Sequence, residues 1–271
     1  MNQLANTNSR RTLSTVVATD VLGWDVLKGR KIVEDTNTNP CFNQNEQQAY
    51  CPDKCVEWPP NGIDVENFVS GNGHAFRTKN GIPQNRKVIL CVGQIDPRRN
   101  QLALLSAMQE LLRMHDDSHL ILVGPVTVES YGMMLLKKMH EASLYDNVTI
   151  IPGLSGGSSE LVDAYHAADI FCLPSWHESS EIVVLGAWAS GLPVITSNVG
   201  DIHSFTRDGT DVLHANPSEP ETFRAAIDKL LIDRKLARHI ADNGRYKAWT
   251  QFDWSQFSDR FESVYRDMLK T

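Results

Sequence analysis

Three short segments carry residue types and spacings suited to an anionic, hydroxyl-rich ligand. The first is Gly93-Gln94-Ile95-Asp96-Pro97-Arg98-Arg99-Asn100, a glycine exit followed by paired arginines just ahead of a helical pattern. Amide donors at a helix start and planar guanidinium forks both favour a phosphate, so Gly93, Gln94, Arg98 and Arg99 are candidate ligands for one. The segment matches neither a G-x-G-x-x-G nor a Walker loop, and taken alone it reads more readily as a solvated basic turn. The second is Pro152-Gly153-Leu154-Ser155-Gly156-Gly157, where small residues would let a flat ligand approach the backbone at Gly153 and Leu154. A flexible connection is the plainer alternative. The third, Leu173-Pro174-Ser175-Trp176-His177-Glu178-Ser179-Ser180-Glu181, runs into a helix expected from about Ile182. It offers amides over Ser179, Ser180, Glu181 and Ile182, and a Glu178 carboxylate that could accept hydrogen bonds from sugar hydroxyls. Glutamates in a first helical turn also serve simply to favour the helix.

Position gives these segments their weight. From Lys87 onward, apolar strands alternate with helical patterns: Val88–Gly93, Leu120–Gly124, Val148–Ile151, Ile170–Pro174, Pro193–Ser197 and a short Val212–Ala215. Leu104, Leu105, Met108, Leu111 and Leu112 form one apolar stripe at helical spacing, and Leu161, Tyr165 and Ala168 a weaker one. Fully apolar strands between amphipathic helices predict an α/β fold, a doubly wound parallel sheet of Rossmann-like type. Ligands of such sheets bind beyond the carboxyl ends of the strands, where all three segments fall. The tail reads as helical, with Ser218 and Glu221 as a capping box and Phe257, Phe261, Val264, Tyr265 and Met268 on one face. Residues 1–60 differ from the rest. Ser14 to Leu22 suggests a strand, Trp24 to Arg30 a helical turn or two, the Asn/Gln-rich run from Asp35 to Gln48 a loop, and Pro59-Pro60-Asn61-Gly62 a turn.

Composition narrows the function classes. The 271 residues are 41% hydrophobic, ample for a buried core and against wholesale disorder. The balance of 26 Lys and Arg against 33 Asp and Glu gives a net charge of −7, which argues against general nucleic-acid binding. No apolar run approaches the ~20 residues of a membrane span, and the polar stretch from Met1 to Arg11 lacks a signal-peptide core. A cytoplasmic protein with at most peripheral contact to a membrane surface is expected. Cys91 and Cys172 fall in strand candidates and read as buried free thiols. Cys51-x3-Cys55, with Cys41 nearby, has no second close pair or His-x3-His to complete a zinc site, and His166, His177, His203, His214 and His239 lack ligand spacing. No metal is expected.

Taken together, the motifs resemble glycosyltransferase family 4. Pro60-Asn61-Gly62-Ile63-Asp64, Val92 through Gln101, Leu122-Val123-Gly124, and Pro174-Ser175 through Glu178 to Ala189-Ser190-Gly191-Leu192-Pro193-Val194-Ile195 occur in that family's order and spacing. The resemblance covers roughly residues 56–268 and implies one half of a GT-B architecture, the C-terminal domain that binds the nucleotide-sugar donor of a retaining enzyme. Residues 1–60 would be an N-terminal remnant and linker and residues 61–271 the Rossmann-like domain, with most of the family's N-terminal domain missing.

The resemblance also implies roles. Arg99 falls where the family has a cation flanking the donor diphosphate, and Glu178 where it has a glutamate contacting the transferred sugar. Gly153 and Leu154 match the loop that cradles the nucleotide base. The departures are Gln94 in place of a second cation, Ser179-Ser180-Glu181 in place of a glycine-rich stretch, and Gly186 in place of a ribose-binding glutamate. The Gly-Gly-x-Pro-Glu signature is reduced to Gly200-Asp201-Ile202-His203-Ser204. A transferase with Glu178 and Arg99 as its catalytic pair, no cofactor and a nucleotide-sugar donor is the leading expectation. A separate chain supplying the acceptor domain is one arrangement it allows. The alternative is a non-catalytic nucleotide-sugar-binding or regulatory module.

Overall fold

The computed structural model describes residues 62–177 and 182–255. Strands β1 (Lys87–Val92), β2 (Ser118–Val123), β3 (Val148–Ile151), β4 (Ile170–Leu173), β5 (Val194–Ser197) and β6 (Leu213–Ala215) form one parallel sheet ordered β3-β2-β1-β4-β5-β6. The strands end at or just before the glycines and prolines that bounded their apolar runs, so Gly93, Gly124 and Pro174 open the exits. Register is direct, with Leu90 opposite Ile121 and Leu122 opposite Ile150.

Helices fill the crossovers: α1 (Gly73–Lys79) before β1, α2 (Gln101–Leu111), α3 (Glu129–Glu141) and α4 (Ser159–His166). Beyond β4 come α5 (Ile182–Ala189), the short α6 (Ile202–Phe205), α7 (Pro220–Ile232) and α8 (Arg234–Lys247). Successive strand residues point to opposite faces, so each face collects its own core. Val88, Leu90 and Val92 join Ile121, Phe171, Tyr165 and Trp188 on one side. Ile89 and Cys91 join Leu122, Cys172, Leu104, Met108 and Phe223 on the other. Both sides being covered explains why the strands are apolar throughout instead of alternating. Cys91 and Cys172 are buried free thiols, as their setting predicted.

The stripe over Leu104, Leu105, Met108 and Leu111 is the buried face of α2, while Leu112 is the half-buried residue that ends it. The capping box at Ser218 does not form. Pro220 occupies the first turn of α7 and Glu219 precedes it, and proline's fixed φ favours that later start. The Ser218 hydroxyl instead donates to Asn216 Oδ1 (2.7 Å), and Glu221 pairs with Arg224. Helix α8 is seated by close contact: a Cβ on Gly244 would come within 2.2 Å of the Trp188 ring. Lys247 pairs with the buried Asp211 (2.9 Å) and lies 5.5 Å from the Trp188 ring centroid. The expected strand, helical turn and loop in residues 14–48, the turn at Pro59 to Asn61, Cys41, Cys51 and Cys55, and the apolar helical tail from Phe257 lie outside the described residues.

Candidate functional site

In this strand order the chain winds outward from β1 in one direction and from β4 in the other. A crevice must therefore open beyond the carboxyl ends of β1 and β4. The β1 exit forms one wall and is rigidly built. Gly93 has φ +154° and its N–H donates to Val123 O (2.9 Å). A Cβ on the neighbouring Gly124 would lie 1.8 Å from Gly93 O, so only glycine allows the two exits to touch. Ile95 N–H donates to Pro125 O (2.8 Å) and Ile95 bridges Val126, which carries the parallel pairing past the strand ends.

The arginine turn follows at Pro97–Arg99, a single 3-10 turn. Asp96, almost fully buried, accepts from the Arg98 and Arg99 amides through Oδ1 (2.8 and 3.1 Å). Its Oδ2 accepts from the Arg98 guanidinium at 2.9 Å. Burial alone would raise the Asp96 carboxyl, but the Arg98 and Arg99 hydrogen bonds outweigh it and hold the group below the usual carboxylate value. This corrects one expectation: the backbone donors of Arg98 and Arg99 are taken by Asp96 and do not face an anion. The Arg98 side chain is largely exposed and already paired. Arg99 is half-buried, with Nε 3.7 Å from where a Cβ on Gly93 would stand, so its guanidinium lies along the bare glycine backbone. Gln94 is exposed at the bend, and its carbonyl accepts from Gln101 Nε2 (2.7 Å).

The β4 exit is the opposite wall, tied to the first by two contacts. Asn100 sits in the left-handed region (φ 56°, ψ 35°). Its Nδ2 donates to Pro174 O (3.2 Å) and to Pro217 O (2.9 Å), joining the exits of β1, β4 and β6. Trp176 N–H donates to Arg98 O (2.7 Å), and the residue is 41% exposed beside the exposed His177. Sequence reasoning singled out neither Asp96 nor Asn100. The signal for Asp96 was Asp-Pro, an acceptor just ahead of a proline that starts a turn. Helix α5 is described from Ile182, which is exposed. Glu178, Ser179, Ser180 and Glu181 lie outside the described residues.

Gly153 and Leu154 extend the row of loops toward the sheet edge. Gly153 has φ +126° and lies against the β2 exit, where a Cβ would be 3.2 Å from Pro125 Cδ. Leu154 is half-buried and packs on the core. Gly186 has a different setting. It lies on the buried face of α5, where a Cβ would meet the Tyr165 ring and hydroxyl at 3.1 Å and Phe68 at 3.2 Å. Tyr165 is edge-on to Phe68 (5.6 Å between centroids) and donates to Val183 O, and burial pushes its phenol far above the ordinary value. Any side chain at position 186 would therefore meet core aromatics first, so packing sets Gly186 in this chain. Among the described residues, no group of three or more His, Cys, Asp or Glu could hold a metal ion, and no helix is long and apolar enough to cross a membrane.

Comparison with known proteins follows the same lines. D-inositol 3-phosphate glycosyltransferase of Segniliparus rotundus is 29% identical over 227 residues, 82% of this chain and 49% of that protein. The protein of the same name from Nocardia farcinica is 30% identical over 221 residues, covering 79% and 48%. The chain thus spans about half the length of the curated relatives it matches. Among solved structures, HepE of Anabaena in complex with UDP-glucose superposes with a TM-score of 0.74 at 19% identity, covering 83% of this chain and 62% of that one. The C-terminal domain of a glycosyl transferase group 1 family protein from Francisella tularensis gives a TM-score of 0.64 at 24% identity, over 71% of this chain and all of that domain. The parallel sheet is thus the Rossmann-like half of the GT-B architecture. The model for glycosyl transferases group 1 matches residues 74–247, a span holding the whole sheet and both walls of its crevice, and the chain belongs to that family.

Proposed function

We propose that this chain forms the donor-binding half of a retaining glycosyltransferase of family 4, which moves a sugar from a nucleoside diphosphate to an acceptor. The observation that carries the reading is Arg99 held along Gly93 at the crevice between β1 and β4. As the sugar departs, negative charge grows on the leaving diphosphate, and a fixed cation at that point lowers the barrier without reorganising. Arg99 supplies this charge. Arg98, which is paired with Asp96, flanks it. Gly93 lets the phosphates approach the backbone, and Gln94 hydrogen-bonds where the family has a second cation, a change worth about 1.5–3 kcal/mol of diphosphate affinity. Glu178 orients the sugar, and Gly153 with Leu154 lines the base end. A uridine donor is the first to test, since HepE was solved with UDP-glucose.

Calorimetric titration of UDP, GDP and ADP into the chain, with and without chelator, tests the reading. Binding of one of them that survives chelation is expected. Absence of binding, or its loss with chelator, counts against it.

The Gly186 packing favours a second reading, a nucleotide-sugar-binding module without transfer. Binding without turnover in the presence of an acceptor-binding partner chain would select it.

A further inference from the structure

Helix α8 presents a surface that the donor site does not use. Its buried side, Ile240, Ala241 and Gly244, is seated against the core, which turns the opposite side to solvent. Lys235, Arg238, His239, Asp242, Arg245 and Tyr246 are all exposed and recur at steps of three or four, so they form one stripe along the helix. Arg234 adds a cation at the first turn and Trp249 continues the stripe into the turn Ala248–Phe252.

The charge on this face opposes that of the molecule. The chain carries −7, yet Arg234, Lys235, Arg238 and Arg245 stand here against Asp242, and the nearby Asp233 is engaged in capping the amides of Lys235 and Leu236. No ion pair among the described residues engages these four cations. Arg234, Lys235, Arg238, His239 and Asp242 also line a shallow depression of about 340 Å³. The far end of the stripe is amphipathic: Tyr246 is 70% exposed and the Trp249 indole is also exposed.

We propose that this face of α8 docks on an anionic lipid surface. A straight row of cations meets a plane of phosphate headgroups along its whole length, each adding attraction near the surface. Long Arg and Lys stems and the Tyr and Trp rings suit the headgroup level, where one end of a side chain is apolar and the other wet. The aromatic end favours a bilayer over duplex nucleic acid, whose phosphates cations alone would meet, and the net charge of −7 argues against nucleic acid in general. The proposal stands on α8 alone and is independent of the donor-site reading.

Co-sedimentation of the full 271-residue chain with sonicated vesicles tests it. Phosphatidylcholine alone is compared with phosphatidylcholine carrying 30% phosphatidylglycerol, at low and at high salt. Binding to the anionic vesicles only, weakened by salt, is expected. The double variant Lys235→Glu/Arg238→Glu should lower partitioning by about 30-fold or more, from the loss of two cations. Acidic residues in the first turns suit the helix dipole, so the fold is retained, and an unchanged circular-dichroism melt verifies that. Tyr246→Ser should give a smaller loss. No sedimentation with anionic vesicles, equal binding to both vesicle types, or an unaffected double variant would each overturn the proposal. So would displacement by equimolar duplex oligonucleotide or by millimolar inorganic phosphate, which would reassign the face to nucleic acid or to a small anion.

Discussion

Removing the Asn100 side chain should loosen both walls of the crevice at once. Asn100 serves in two ways: it tolerates the left-handed conformation at φ 56°, and its amide donates to Pro174 O and Pro217 O. Two hydrogen bonds in a half-buried position are worth about 1–2 kcal/mol together, since water replaces part of what is lost. Asparagine already carries a Cβ, so alanine loses only the local polar compensation that eases asparagine into the left-handed region, about 0.5–1 kcal/mol, and Asn100→Ala should cost about 1.5–3 kcal/mol. Asn100→Gly removes the bonds but not the conformation, and should be milder by about 1 kcal/mol. Asn100→Asp keeps the shape but turns acceptor against acceptor at two carbonyls, so it should damage the site more than its volume suggests. Urea unfolding of the three variants reads the stability, and diphosphate titration reads the site, which would then have to order its own loops on binding. An Asn100→Ala variant within about 0.5 kcal/mol of the parent, with unchanged titration, would refute the claim that Asn100 joins the three exits.

Other outcomes follow from single residues. His119 is buried on β2 and bonded to Thr149, and its imidazole is lowered to about 4, first by burial and then by the charges of Arg86 and Arg77. The unfolded chain takes up this proton near pH 6.5 and the fold only near 4, so stability is fully present above 6.5 and falls by about 3 kcal/mol on the way to pH 4. Melting temperatures across that window should show a flatter slope for His119→Gln, and identical slopes would contradict the assignment. Gly186→Ala gains about 1 kcal/mol of helix propensity but overpacks Tyr165 and Phe68 by about 1–3 kcal/mol, and Gly186→Glu should be far worse. Tighter nucleotide-sugar binding by Gly186→Glu at undiminished stability would show that the position faces a ligand after all. Glu178→Ala should weaken a nucleotide sugar relative to its nucleoside diphosphate by about 1.5–3 kcal/mol, and an unchanged ratio would leave Glu178 only a helix-start carboxylate.

The sheet was legible because its strands are buried on both faces and therefore apolar without interruption, from Val88 to Val92 and again from Leu120 to Val123. The loop positions were legible for the same reason, since strand order and polarity place every exit at one edge. Contacts made by polar atoms across loops were not. Asp-Pro was the one local hint that Asp96 takes the amides of Arg98 and Arg99, and nothing local announces that Asn100 reaches Pro217, 117 residues further along the chain. Gly186 looked like a vacancy in a motif, yet its surroundings come from Tyr165 and from Phe68, an early turn that packs on α5 only in the fold. Ser218 misled because the spacing to Glu221 suited a cap, while Pro220 and Asn216 set a different start.

In the proposed function, the β1–β4 crevice holds a diphosphate through Arg99. Titration of UDP, GDP and ADP, and of the sugar derivative of whichever binds, into parent and Arg99→Ala chains tests it most directly. Both ligands carry the diphosphate, so the substitution should weaken the two equally, by about 1.5–3 kcal/mol. Equal affinity of the parent and Arg99→Ala chains for the nucleoside diphosphate would contradict it.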